Sequence, residues 1–325
     1  MKVTVLGAGA WGTALAVRLT DNGHAVTLWG RNAAHLADIK QDGTNLRYLP
    51  GVRLPSGWNL TTDLPAAVAS SEVLVVSVPS RGFRELVTHL SGYRGLVISV
   101  TKGVEHETGL TMCGILRQLS AGSRVATLSG PSLASEVARG IPTAVVAASI
   151  HPEAAQSTQA LFNGPSFRVY TTSDELGVEL GGALKNVVAI AAGVSDGLGF
   201  GDNSKAALVT RGIAEVRRLG VACGAQSETF AGLSGLGDLT VTCFSKQSRN
   251  RTFGERLGRG ESLKDILATS LSVVEGYPTS ESAFQLARQK VQDTPIIDEV
   301  YQLLYQAKSP SQALRALMTR DPKPE

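Results

Sequence analysis

The chain has 325 residues, 43% of them hydrophobic, and a formal net charge of +3, enough for two domains that each bury a core. The charges are spread along the chain except around Lys246 to Arg259. This excludes a general nucleic-acid binder, which would carry a basic stripe, and no apolar run approaches the roughly 20 residues a membrane span needs.

Cys113, Cys223 and Cys243 are odd in number, far apart and outside any CxxC or metal-ligand spacing. They read as reduced core cysteines with no metal site. A strand begins almost at once and no cationic leader precedes it, so a soluble, cytoplasmic protein is expected.

Lys2 to Leu6 is β-rich and leads into Gly7-Ala8-Gly9-Ala10-Trp11-Gly12, then a helical pattern from Thr13 to Asp21. In GxGxxG the first glycine permits the tight turn, the second lets backbone approach a pyrophosphate, and the third lets helix pack on strand. Such a turn can also bind nothing, but strand, motif and helix in this order point to a dinucleotide. The second strand, Ala25 to Trp29, ends in Gly30-Arg31-Asn32 with no acid beside it. An NAD-only site would normally place Asp or Glu there, whereas Arg31 suits a 2′-phosphate, so NADP or dual use is expected.

Strands are expected near Asn59 to Thr62, Val73 to Val78, Leu96 to Val100, Val125 to Ser129, Thr143 to Ala148 and Phe167 to Thr171. Helices are expected near Pro65 to Ala69, Phe83 to Leu90, Leu110 to Leu119, Ser132 to Arg139 and Glu153 to Phe162. This alternation means a Rossmann-type, doubly wound, mostly parallel sheet over residues 1–173. Ligands of such sheets lie outside the carboxyl ends of the strands. That makes Lys102, Gly130 and Ser132, in two polar turns, candidate substrate contacts, although Ser132 could equally cap a helix.

From residue 174 to 325 strand signals stop and an all-α domain is expected. Gly181 to Gly193 reads as an apolar helix carrying Lys185 and Asn186. A lysine there either snorkels or has a partner or a job. A second helix runs from Asn203 to Leu219, and a glycine-dense loop with a single acid, Asp238, spans Ala231 to Cys243. The turn Ser248-Arg249-Asn250-Arg251 offers a planar guanidinium suited to phosphate, or else caps the next helix. Helices follow near Ser280 to Gln289 and from Pro295 to Gln306, and the charged end from Arg320 is expected to fray.

Taken together, the glycine motif, Thr101-Lys102-Gly103, Ser129-Gly130-Pro131-Ser132, Gly181 to Asn186, Gly201-Asp202-Asn203, Gly235 to Leu239, Ser248 to Arg251 and Val274-Glu275-Gly276 resemble the bacterial NAD(P)-dependent glycerol-3-phosphate dehydrogenase family. The resemblance runs from residue 1 to about residue 307. It implies reversible reduction of dihydroxyacetone phosphate to sn-glycerol 3-phosphate with NADP or NAD, supplying phospholipid synthesis. It also implies that Lys185 is the catalytic acid/base. Lys102, Gly130, Ser132, Asp238, Ser248, Arg249 and Asn250 fall on substrate positions. Ala10, Trp11, Arg31, Lys102, Ala134, Arg249, Val273 and Glu275 fall on cofactor positions, beside Gly7, Gly9 and Gly12. Relatives often carry Ser where this chain has Ala10, so any contact to the pyrophosphate there must come from backbone. Asp238 is expected to pair with Lys185. The partner is a small phosphorylated molecule rather than a nucleic acid or a membrane, and a homodimer is compatible with the resemblance. Two alternatives stay open: another two-domain NADP-dependent dehydrogenase with a catalytic lysine, and a non-catalytic NADP sensor.

Overall fold

A computed structural model describes residues 1–270 and 273–321. The last residues of the end expected to fray, 322–325, lie outside the described residues. The chain forms two compact units, Met1–Lys102 with Leu110–Glu179, and Gly103–Gly109 with Leu180–Glu325.

In the first unit, β1 (Lys2–Leu6), α1 (Ala10–Asp21), β2 (Ala25–Trp29), α2 (Ala33–Asp42), β3 (Thr44–Asn45), β4 (Leu49–Arg53), β5 (Asn59–Thr61) and α3 (Leu64–Ala69) come first. They are followed by β6 (Val73–Val76), α4 (Phe83–Thr88), β7 (Leu96–Ser99), α5 (Met112–Leu119), β8 (Arg124–Ser129), α6 (Ala134–Ala138), β9 (Thr143–Ala148), α7 (Pro152–Phe162) and β10 (Phe167–Thr172). One sheet has the order β10-β9-β8-β7-β6-β1-β2-β5, parallel throughout except between β8 and β9. Its central strands are apolar at nearly every position because both faces are covered. Alternate residues serve different cores: Val3, Val5, Val73, Val75 and Ile98 pack on one side with Leu15, Leu19 and Phe162, while Leu6, Leu74, Val76 and Val97 pack on the other with Phe83, Leu90 and Leu116.

Three local differences from the sequence expectation have physical causes. Helix α1 starts at Ala10 rather than Thr13, so the last glycine of the motif lies inside the helix. Helix α6 starts at Ala134 because Ser132 turns its hydroxyl onto the Gly130 carbonyl and Leu133, in extended backbone, takes the cap position. Neither α2 nor the β3–β4 hairpin was expected; α2 buries only Leu36 and Ile39, too weak an apolar period to read.

Helix α8 (Glu175–Gly197) begins at the end of the first unit and continues into the second. The second unit also holds α9 (Asp202–Ala222), α10 (Asp238–Phe244), α11 (Arg249–Gly258), α12 (Leu263–Thr269), α13 (Gly276–Gln289), α14 (Pro295–Tyr305) and α15 (Pro310–Met318). Among the described residues no strand follows Thr172. Helix α8 is long and apolar enough to cross a membrane, yet 94% of its most apolar window is buried. It is the core helix of this unit, largely apolar around its circumference as such a helix must be, with Lys185 and Asp196 held in ion pairs.

Glycines let α11 press against α8 backbone to backbone. A Cβ on Gly193 would lie 1.9 Å from the Arg251 carbonyl oxygen, and one on Gly254 would lie 2.0 Å from that of Ile190. No methyl group fits at either place, so the start of α11 is seated on α8 with little freedom to shift.

The stretch Ala231 to Cys243 is not the loop its glycines suggested. A π-helical turn, Leu233–Gly237, runs directly into α10. Its glycines serve close approach instead: a Cβ on Gly235 would sit 2.2 Å from the Phe230 carbonyl oxygen. Single π turns of this kind are frequent at functional sites.

Candidate active site

The strand order reverses between β1 and β6, and the turn after β1 lies at that switch point. Gly7 has φ +125°, and a Cβ on it would lie 2.4 Å from the Ser77 carbonyl oxygen; one on Gly12 would lie 2.0 Å from the Gly7 oxygen. Around Gly9, by contrast, nothing lies within 4 Å of that position. The first and third glycines thus close the turn, and the second leaves a cradle at the N-terminus of α1, whose first-turn amides have no helical partners. Ala10 and Trp11 occupy that first turn. The residues present therefore fit the pyrophosphate of a dinucleotide.

One buried group that sequence reading missed, Asn45, holds this turn. Asn45, 0% exposed, donates from its amide to the Ala8 carbonyl at 3.1 Å and to Thr13 Oγ1 at 2.8 Å. Asn32 caps α2 by accepting from the His35 amide at 3.0 Å, beside the exposed Arg31 at the end of β2.

At the carboxyl ends of β7 and β8, three expected residues meet. Lys102 Nζ and Ser132 Oγ both donate to the Gly130 carbonyl, at 3.2 and 3.0 Å. Gly130 has φ +146°, a backbone state that disfavours side chains, and a Cβ there would lie 2.9 Å from Val145 Cα. Ala134 follows as the first residue of α6.

In the second unit, Lys185 of α8 is 7% exposed and Asp238 of α10 is 1% exposed. They form a direct ion pair. Lys185 Nζ also donates to Thr242 Oγ1 at 2.6 Å, and that hydroxyl in turn donates to the Asp238 main-chain carbonyl at 2.6 Å. Thr242 lies four residues after Asp238. That spacing puts both on one face of a helix, a signal available only if the segment is read as helix. Cys243, next to Thr242, is pushed up to about 12 by burial, so its thiol stays protonated and inert.

The next residue on α8 opens a second chain of contacts. Asn250 Nδ2 donates to Asn186 Oδ1 at 2.9 Å, and Asn250 Oδ1 accepts from the Gly276 amide at 2.9 Å. Asn250 therefore ties α8, α11 and the start of α13 together. Ser248 caps α11, accepting from the Arg251 amide at 3.2 Å. Arg249, exposed, donates to the Val273 carbonyl at 3.1 Å, which sets it beside the segment carrying Val273 and Glu275. A buried ammonium gripped by a carboxylate and a hydroxyl can hold a proton against an oxyanion, and a guanidinium and an amide at successive positions of α11 can clamp an anionic group.

Both halves of the chain are similar to known proteins. Residues 2–155 match the NAD-dependent glycerol-3-phosphate dehydrogenase N-terminus, and residues 174–315 match its C-terminus. A glycerol-3-phosphate dehydrogenase [NAD(P)+] from Geobacter metallireducens is 49% identical over 330 residues, covering 100% of this chain and 98% of the relative. One from Chlorobium phaeobacteroides is 46% identical over 331 residues, covering 100% and 99%. The crystal structure of the Coxiella burnetii glycerol-3-phosphate dehydrogenase is similar with a TM-score of 0.95 at 37% identity, covering 98% of this chain and 99% of that one. With both halves matched in order and relatives this similar along the whole length, the chain belongs to the NAD-dependent glycerol-3-phosphate dehydrogenase family.

Proposed function

We propose that the reduction of dihydroxyacetone phosphate to sn-glycerol 3-phosphate by NAD(P)H, and its reverse, take place at Lys185. The observation that carries this reading is the buried ammonium held by Asp238 and Thr242. The nicotinamide, when bound, supplies the hydride. Lys185 holds a proton at the substrate carbonyl oxygen and gives it up as negative charge develops there, its own positive charge lowering the barrier until then. Asp238 and Thr242 fix the direction of Nζ. Arg249 presents a two-pronged donor to the phosphate, and Asn250 adds an amide hydrogen while its oxygen stays on Gly276. Lys102, Gly130, Ser132 and Ser248 supply further substrate contacts.

On the cofactor side, Gly7, Gly9, Ala10, Trp11 and Gly12 offer backbone to the pyrophosphate, and Arg31 takes the 2′-phosphate of NADP. Lys102, Ala134, Arg249, Val273 and Glu275 complete the contacts. The same reading makes the protein a cytoplasmic enzyme, forming a homodimer and feeding phospholipid synthesis, with no nucleic-acid or membrane partner. It is tested by following NADPH and NADH absorbance with dihydroxyacetone phosphate and with unphosphorylated dihydroxyacetone. Oxidation that ignores the phosphate, or that needs no substrate, would reject it.

A further inference from the structure

A second group of charges is buried against α8. Asp196 lies 11 residues after Lys185, about three helical turns further along and so on nearly the same face. Its carboxylate forms ion pairs with Lys205 of α9 at 2.6 Å and with Arg251 of α11 at 2.6 Å. The three side chains are between 8% and 12% exposed. Arg251 also meets Glu255 at 3.0 Å, and Lys205 Nζ lies 5.3 Å from the centre of the Phe244 ring.

Buried charge clusters are poor sources of stability, since well-packed apolar groups of similar volume often do as well or better. A cluster of this kind is better explained by what it holds in place. Arg251 is gripped three times: its amide donates to Ser248, its carbonyl abuts Gly193 of α8, and its guanidinium reaches Asp196. Arg249 and Asn250 stand between Ser248 and Arg251, in the same first turn of α11.

We propose that Asp196, acting through Arg251 with Lys205 as the second cation, is a positioning residue for the substrate phosphate: it locks the first turn of α11 onto α8 so that Arg249 and Asn250 face the ligand in one register. This rests on the reading that Arg249 and Asn250 bind that phosphate. Asp196 itself touches neither reacting atoms nor cofactor. Its loss therefore acts on binding of the phosphorylated substrate and spares proton transfer.

Asp196→Asn keeps the shape and withdraws the charge. The KM for dihydroxyacetone phosphate should rise about tenfold, the worth of one charge-assisted hydrogen bond from α11 to the phosphate. The kcat, the NADPH affinity from fluorescence titration and the efficiency with free dihydroxyacetone should change little. Arg251→Lys keeps the charge but loses the planar fork, so it should give the same split in milder form, and it decides the matter if Asp196→Asn does not fold. With Arg251→Gln made alone as the second single variant, the double variant Asp196→Asn with Arg251→Gln should be no worse than the worse of its two singles, because both break one link. Equal losses with both substrates, a fall in kcat at unchanged KM, or a lowered melting temperature with unchanged kinetics would each overturn the proposal. Arg249→Lys, run in parallel, separates two failures. If it does not discriminate between the phosphorylated and free substrates, the phosphate reading falls and this proposal with it; if it does and the Asp196 and Arg251 variants do not, only the positioning role falls.

Discussion

Replacing Lys185 by alanine has two consequences that the structure allows to be separated. Asp238 is 1% exposed, so the variant leaves a buried carboxylate without the counter-charge of Lys185, a loss of about 3–5 kcal/mol. At about 2–4 °C per kcal/mol for a unit of this size, the melting temperature should fall by roughly 6–20 °C. Turnover should fall independently, by the roughly 100-fold to 10,000-fold that general acid catalysis contributes. Lys185→Ala combined with Asp238→Asn removes the stranded charge, so it should regain most of the melting temperature and none of the turnover. Lys185→Arg should not regain turnover either, because a guanidinium holds its proton too tightly to release it. Asp238→Asn alone should be milder, since the donor remains. NADPH absorbance with dihydroxyacetone phosphate reads turnover, thermal melts read stability, and fluorescence titration checks that NADPH still binds. If the double variant recovers turnover together with its melting temperature, Lys185 matters only as the partner of Asp238, and the proton donor must be sought at Lys102 or Lys205.

Arg31→Ala should raise the KM for NADPH more than for NADH, and equal effects on both would remove the 2′-phosphate role. Arg249→Lys should lower catalytic efficiency with dihydroxyacetone phosphate and change little with free dihydroxyacetone, whereas equal losses would make Arg249 structural or a cofactor contact alone. Thr242→Val withdraws one hydrogen bond from the ammonium and should lower kcat about tenfold with NADPH affinity preserved; an unchanged kcat would show that Asp238 orients Lys185 by itself. Burial, reinforced by the neighbouring charge of Glu175, raises Glu179 from 4.5 to about 7. The native state then keeps a proton that the unfolded chain releases, so this contribution to stability is complete below about 4.5 and is lost as the pH rises through about 7. Glu215, raised to about 7 by burial, adds a slope of the same sign. Melting curves of Glu179→Gln between pH 4.5 and 7.5 should therefore be flatter than those of the parent, and an unchanged slope would mean that Glu179 is ionised throughout.

Much of this site is legible in the amino-acid sequence because its causes are local. Runs such as Val73–Val76 announce buried parallel strands by residue type alone, and the last glycine after β1 answers to the backbone of Gly7 five residues before it, although Gly7 itself answers to Ser77 at a neighbouring strand end. The pairing of Asp238 with Lys185 is legible only through the resemblance to the family, since Glu179 and Asp196 on the same helix as Lys185 are acids too. Tertiary packing decided the rest. The same glycine density makes Ala231 to Cys243 look like a loop, whereas its glycines clear space for neighbouring backbone and the segment is helical; only then do Asp238 and Thr242 share a face. The hold of Asn45 on the glycine turn, the tie from Asn250 to Asn186 and Gly276, and the grip of Asp196 on Arg251 have no local sign. Each joins residues more than twenty positions apart. A window of sequence records which backbone conformations a residue tolerates, while the partner that a buried polar group finds is set by how distant elements pack, and burial makes finding one obligatory.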